Sequence, residues 1–269
     1  MKTLRTVFIA LILILLYTPI IVMIVFSFNE AASTSVFEGF SMRWYENLFK
    51  YGGDLLGALR NTLVLAVLSS AISTVLGTVA AVGISNMRKQ WIKGTVMSVT
   101  NIPLMNPEVV TGISMMLMFV FVGRLLNVAN SVNFFTILIA HITFGLPYVI
   151  LNVLPRLRQT DKNLTEAAMD LGCTPLQAFF KAILPSITPG IIVGFIMAFT
   201  MSLDDFVISY FTNGTFQTLP LLIYSMTRKP MKPDVYALES IMFIIILILM
   251  ILLNIVQTDG KEKGLHRNR

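Results

Sequence analysis

Apolar stretches long enough to cross a bilayer recur along this chain, and they constrain its fold more than any other feature. Residues 6–29 contain no Asp, Glu, Lys or Arg. At ~1.5 Å rise per residue, about 20 apolar residues in a helix cross the ~30 Å hydrocarbon core. Comparable runs follow at residues 61–87, 94–123, 133–154, 182–203 and 238–256, each with at most one charged side chain. Hydrocarbon offers no hydrogen bonds, so such runs must satisfy their own backbone groups as helices. The composition agrees: 55% of residues are hydrophobic and 13% charged. The predicted fold is an all-α integral membrane protein with six transmembrane helices.

Each run has its own punctuation. The first contains Pro19, which a membrane helix tolerates as a kink, and it is too long and continuous for a cleaved signal. A polar loop at residues 30–54 carries Trp44 and Tyr45, expected as anchors at the lipid boundary. The second run is rich in small residues (Ser69, Ser70, Ser73, Gly77, Ala80, Ala81, Gly83), which permit close packing inside a bundle. The third exceeds one span and is interrupted by Pro103 and Pro107, so a helical piece, a break and a second helix from about Glu108 are expected. The fourth has a probable kink at residues 145–148, Gly-Leu-Pro-Tyr. On this reading the chain divides into residues 1–56 (first helix and outer loop), 57–257 (a five-helix transmembrane domain) and 258–269 (a polar cytoplasmic tail).

Lys and Arg set the orientation. Lys2, Arg5, Arg88, Lys89, Lys93, Arg156, Arg158, Lys162, Lys181, Lys261, Lys263, Arg267 and Arg269 fall on one side, thirteen of the twenty. Arg43, Lys50, Arg60, Arg124, Arg228, Lys229 and Lys232 fall on the other. The excess side is the cytoplasm, so both termini are expected there. The cluster at residues 228–232 runs against the rule. The net charge of +6 is thus an orientation signal and not a nucleic-acid footprint.

Between the fourth and fifth spans lies the one long polar segment flanked by strongly apolar ones, residues 156–190. Asn163 with Glu166 has capping-box spacing, and Gly172 reads as a helix stop. Thr174-Pro175-Leu176-Gln177 starts a second helix, with Thr as N-cap, Pro at the first helical position and Gln closing the box. Pro185 and Pro189 are expected to discourage its continuation. Two short helices joined at Gly172 result.

Glu166-Ala167-Ala168, Gly172 after three intervening residues, and then Leu184-Pro185 resemble the EAA loop of ABC-importer permeases. The usual pattern has Ile two residues before the Leu; here that position is Ala182, with Ile183 beside it. The resemblance implies a type I ABC importer permease fold. It also implies that the loop is a coupling element docking into a cytoplasmic ATPase, through Glu166, Ala167, Ala168, Gly172, Leu184 and Pro185.

Other chemistry is sparse. No GxxxxGK[ST] phosphate loop occurs. The single cysteine, Cys173, excludes an intrachain disulfide and a cysteine-built metal cluster. His141 and His266 are too few for a His-based metal site. His141 lies in the fourth span and is either a helix-packing hydrogen-bonder or a proton relay. No nucleophile–base constellation is traceable, so an enzyme is not expected.

Acids at membrane depth cost about 2.5–3.5 kcal/mol on insertion scales, so they tend to line a cavity or find a partner. Glu108 either stabilises a helix start after Pro107 or lines a pore at the broken helix. Asp204 and Asp205 either end a helix in hydrated surroundings or form an anionic vestibule for a cation. Glu239 begins the last span and is read as interfacial.

Residues 40–45 (FSMRWY), 107–110 (PEVV), 141–144 (HITF), 202–207 (SLDDFV) and 219–226 (LPLLIYSM) together are similar to the second permease subunit of spermidine/putrescine ABC importers, over nearly the whole chain. Glu108 stands where Asp is commoner in that family. The resemblance implies ATP-driven polyamine import across the bacterial cytoplasmic (inner) membrane. It further implies a heterodimer with a sister permease subunit, two ATPase subunits that bind ATP and Mg, and an extracytoplasmic polyamine-binding protein; this chain would bind no cofactor. Carboxylates can pair with a polyamine's amines, and Tyr148 or Tyr210 could add cation–π contacts, although each taken singly reads first as a packing residue. The expected substrate pathway is therefore Glu108, Asp204, Asp205, Tyr148 and Tyr210. The rivals are a permease for another small solute and an ion-coupled secondary transporter. An anion carrier would want a basic residue in the pore, which the spans lack; a secondary transporter would show internal repeats more often than not and would leave the EAA segment unexplained.

Overall fold

The computed structural model describes residues 2–31, 36–128, 131–161, 163–227 and 233–266. The Arg228–Lys232 cluster, Lys162, Arg267 and Arg269, all used in the charge count, lie outside or at the edge of these ranges. Among the described residues the regular structure is helical, apart from one isolated bridge between Asn29 and Phe40. The helices are α1 (Lys2–Ser27), α2 (Arg43–Tyr51), α3 (Gly53–Ser85), α4 (Gln90–Met105), α5 (Glu108–Leu125), α6 (Phe134–Gln159), α7 (Leu164–Asp170), α8 (Pro175–Ala178), α9 (Leu184–Leu203), α10 (Val207–Thr212), α11 (Leu219–Met226) and α12 (Pro233–His266). A π-helical turn, Phe179–Ile183, joins α8 to α9.

Among the described residues five helical stretches are long and apolar enough to cross a membrane: Arg5–Ser27, Gly53–Ser85, Glu108–Leu125, Phe134–Gln159 and Pro175–Leu203. The expected sixth span falls within α12, whose later side chains lie outside the described residues. The long third run is broken as anticipated. α4 stops at Met105, Asn106 and Pro107 are extended, and Glu108 opens α5.

The chain forms two compact units. One comprises Met1–Leu59 with Leu222–Ile248. Here α1 continues through Pro19, and its apolar sides face outward all round, as a helix in lipid or against another subunit would present them. Its end is clasped by the segment that follows. The Trp44 indole donates to the Asn29 carbonyl at 2.6 Å, and the Tyr45 hydroxyl pairs with Ser27 at 2.8 Å. Phe28 stacks between Phe40 and Tyr45 at 5.2 and 5.1 Å. Trp44 and Tyr45, expected as boundary anchors, are half-buried, and each pairs its polar tip with the end of α1. The supposed loop also contains α2.

The other unit comprises Arg60–Leu221 and Leu249–Arg269. Its centre is α6 against α9, with the later part of α3 beside them. Asn133 starts α6 by accepting from Phe135 N–H at 2.9 Å, while Thr136 accepts from Asn133 N–H at 2.7 Å, a reciprocal capping box. Arg156 and Arg158 close the helix at its negative end. The helix runs unbroken through the expected kink at Pro147. Glycines bring the backbones together. A Cβ on Gly194 would lie 3.1 Å from Val149 Cα, and one on Gly77 would lie 2.7 Å from Val149 Cβ. Gly145 faces Ser73 in the same way. Ala81, Val149, Val153, Leu154, Ile187 and Ala198 fill the space between. This is small-residue packing, which gains dispersion contacts where lipid removes the hydrophobic drive.

Candidate substrate pathway and coupling loop

The segment expected to couple to an ATPase is built from two hairpinned helical pieces. α7 ends in a Schellman motif: Cys173 N–H reaches Ala168 O at 3.1 Å and Gly172 N–H reaches Met169 O at 2.9 Å. Gly172 has φ +84°, a conformation that Cβ-bearing residues avoid. α8 starts with the anticipated box, Thr174 Oγ1 accepting from Gln177 N–H at 3.4 Å and Gln177 Oε1 from Thr174 N–H at 3.1 Å. The box expected at Asn163 and Glu166 does not form; Asn163 is helical, and Asp161 instead turns the chain by accepting from Asn163 N–H at 2.9 Å. Glu166 and Ala167 remain exposed.

Pro185 and Pro189 do not stop the following helix. In the π turn Leu184 N–H reaches back five residues to Phe179 O. Pro185 then occupies the first turn of α9, where a missing N–H is least costly and the wider preceding turn accommodates the ring. α7, α8, the π turn and α9 consequently form one continuous path from the loop into a span. Among polar and charged side chains the loop's surface also exposes three large apolar ones, Leu171, Leu176 and Phe180.

The pathway residues separate. Glu108 is exposed at the first turn of α5, and Asp204 is exposed at the end of α9. Tyr148, on α6, lies within electrostatic range of both. Among the described residues neither carboxylate has an ion-pair partner. Asp204 keeps an exposed surface, but loss of water on the side packed against protein pushes its carboxyl up from its ordinary range; its own backbone N–H works against this, and the like-charged Asp205 and Glu108 add to it. Two acids and a phenol thus share one region, and among the described residues no Lys or Arg pairs with either acid. The Tyr148 ring meets Phe144 edge-on at 5.7 Å. Tyr210 is exposed on α10, between Phe206 and Phe211.

Asp205 does not belong with this group, which corrects its placement in an open vestibule. It is 8% exposed. Its Oδ1 accepts from Ile208 N–H at 3.2 Å and its Oδ2 from Ser209 N–H at 2.7 Å, so it caps α10. Burial pushes this carboxyl up, but His141 and Ser209 outweigh it and hold it below the ordinary range. His141 Nε2 lies 3.4 Å from Asp205 Oδ2 and 3.0 Å from Ser209 Oγ. On the other ring edge, Nδ1 pairs with Ser202 Oγ at 2.7 Å, and Ser202 pairs with Ser69 at 3.0 Å. His141 therefore joins α3, α6, α9 and α10. Sequence reading singled out His141 but did not link it to Ser69, Ser202 and Ser209, which lie far from it in the chain.

α10 is held against α5 by a second close approach: a Cβ on Gly112 would lie 2.8 Å from Phe211 Cδ2 and 3.5 Å from Val207 O. Phe119, Ala140, Phe144 and Ile208 pack beneath it. The short helix after Asp205 is thereby fixed to the two spans that carry Glu108 and Tyr148.

Comparisons with known proteins agree with this architecture. Residues 73–258 match the family described as the binding-protein-dependent transport system inner membrane component. The putrescine transport system permease protein PotI of Escherichia coli is 37% identical over 84% of this chain and 80% of its own. The spermidine/putrescine transport system permease protein PotC of the same organism is 35% identical over 98% of this chain and 97% of its own. In fold, the chain is similar to a bacterial ABC transporter involved in the import of the acidic polysaccharide alginate. The TM-score is 0.69 at 16% identity, covering 97% of this chain and 94% of that one. An amino acid ABC transporter gives a TM-score of 0.56 at 22% identity, covering 80% and 98%. With its spans, its broken third run and its EAA loop, the chain belongs to the binding-protein-dependent transport system inner membrane component family, the integral-membrane permeases of ABC importers.

Proposed function

We propose that this chain is one of two permease subunits of an ATP-driven importer of polyamines, with Glu108, Asp204 and Tyr148 lining the route of the cation. The observation that carries this is the pair of unpaired carboxylates sharing Tyr148, in a chain whose spans are otherwise nearly uncharged. A protonated amine passing between them exchanges water for charge-assisted hydrogen bonds, which are roughly twice as strong as neutral ones. Tyr148 and Tyr210 offer ring faces to a cation. The relatives named for putrescine and spermidine transport support the same cargo.

Both termini lie in the cytoplasm in this reading, which puts α7 and α8 on the same side as the ATP supply. The exposed face of Leu171, Leu176 and Phe180 docks on an ATPase partner, which alone binds ATP and Mg. A sister permease subunit, two ATPase subunits and an extracytoplasmic polyamine-binding protein complete the importer. Closure of the ATPase pair pushes the α7–α8 hairpin. The continuous path through the π turn passes that movement into α9, and so to Asp204. The test is ATP hydrolysis by the purified complex with its binding protein: putrescine or spermidine should stimulate it, and an uncharged solute of similar length should not. Equal stimulation by the uncharged solute refutes the cargo assignment.

A further inference from the structure

Asp204 and Asp205 are neighbours in sequence with opposite surroundings, one exposed and unpaired, the other buried and fully engaged. Only one peptide unit separates them, so whatever fixes Asp205 also fixes where Asp204 can point. Asp205 is fixed from two directions. The backbone N–H groups of Ile208 and Ser209 hold it from α10, and the imidazole of His141 holds it from α6. His141 is itself held by Ser202, only two residues before Asp204, and Ser202 by Ser69. The turn carrying Asp204 is therefore gripped just before and just after the exposed acid by the same buried ring, which is 4% exposed.

We propose that His141 is a positioning residue for transport: through Ser202 and Asp205 it holds the Asp204 carboxylate in register with Glu108 and Tyr148. This rests on the reading of Asp204 as part of the cation route. With Nε2–H shared between Ser209 Oγ at 3.0 Å and Asp205 Oδ2 at 3.4 Å, Nδ1 accepts from the Ser202 hydroxyl at 2.7 Å, and Ser202 Oγ lies 3.0 Å from Ser69 Oγ. Every polar atom of the ring is thereby used. Loss of the Asp205 side leaves the carboxylate buried with a vacant acceptor position, and the start of α10 must shift or hydrate. Loss of the Ser202 side alone leaves Asp205 capped. The two edges of the ring are thus unequal, and two isopolar substitutions separate them. In His141→Gln the side-chain amide reaches the position of Nε2 and can still donate to Asp205. In His141→Asn it reaches only the position of Nδ1, keeping the Ser202 contact and losing Asp205.

The test is the number of putrescine molecules moved per ATP hydrolysed by the reconstituted importer, with binding protein present. A general folding defect lowers transport and hydrolysis together and leaves this ratio unchanged, whereas a misplaced acid lowers the ratio. The ratio should fall about tenfold in His141→Asn, the scale of one hydrogen bond to a charged group, and stay within about twofold of the parent in His141→Gln. In an Asp204→Asn background His141→Asn should have no additional effect, because the group it positions has gone. Ser209→Ala, which removes the other acceptor of Nε2 but leaves the ring's Nε2–H for Asp205 and the backbone cap of Asp205 in place, should lower the ratio by less than His141→Asn. A normal ratio in His141→Asn, or an equal loss in the Gln and Asn variants, overturns the inference. So does a further His141→Asn effect on top of Asp204→Asn. Should Asp204→Asn alone leave the ratio unchanged, it is the cation-route reading that fails, a different result from any of these.

Discussion

Substitution of Gly172 isolates the backbone of the coupling loop from its side-chain contacts. At φ +84° this residue occupies the left-handed region, yet a Cβ there would meet nothing within 4 Å. Within this chain the cost of a side chain is therefore backbone strain alone, about 1–2 kcal/mol for an ordinary L-residue. That corresponds to a drop in the folded turn's population ratio of roughly 5- to 30-fold. Asn tolerates this region better than other non-glycine residues, and β-branched residues tolerate it least. Coupled transport should therefore fall in the order Gly, Asn, Ala, Val at position 172. The assay is substrate-stimulated ATP hydrolysis by the purified complex, normalised to the amount of assembled complex. Because the strain is local to the Schellman turn, the thermal stability of the membrane bundle should hardly change across the series. If Gly172→Val couples as well as the parent, the turn geometry does not transmit the movement. If Asn is worse than Val, side-chain contact with the partner and not backbone conformation governs the site.

Other perturbations test neighbouring parts of the account. Gly194→Ala places a methyl 3.1 Å from Val149 Cα and should destabilise the α6–α9 pair by about 1–3 kcal/mol, read as earlier heat aggregation of the purified complex. Thr174→Ala removes the N-cap of α8 and should cost about 1 kcal/mol locally, read as faster amide exchange over residues 174–178 with little change in the spans. A reporter active only in the cytoplasm should work when fused at Gln90 and fail at Asn213; activity at Asn213 would put Asp204 on the wrong side for a delivered substrate.

The spans and the two turns of the coupling loop were legible because their causes are local. Charge-free runs dictate helices in lipid, and Thr174 with Gln177 or Gly172 after α7 act within a few residues. Local rules failed where context supplied an alternative. Asn163 has the spacing for a cap, but Asp161 takes the turn first. Pro185 and Pro189 are breakers in isolation, yet a π turn places the first of them at a helix start, where its missing N–H matters little. The fates of Asp204 and Asp205 could not be read at all, since a dipeptide does not say which acid a histidine some sixty residues earlier will bind. The signal available was His141 itself, a polar ring in an apolar span that had to find partners, with Ser69, Ser202 and Ser209 on other segments as candidates. For Trp44 and Tyr45 the sequence likewise did not say which groups their polar tips would find; these are Asn29 O and Ser27 at the end of α1.

The central claim is that Glu108 and Asp204 carry a polycation through this permease. It is tested most directly by ATP-dependent uptake of labelled putrescine into vesicles containing the complete importer with the Glu108→Gln, Asp204→Asn double substitution. Both changes keep side-chain shape and remove charge. The account predicts uptake reduced by at least about tenfold, on the scale of 1.5–3 kcal/mol for each hydrogen bond to a charged group, with assembly and basal ATP hydrolysis retained. Uptake at the parental rate by a fully assembled double variant would contradict it.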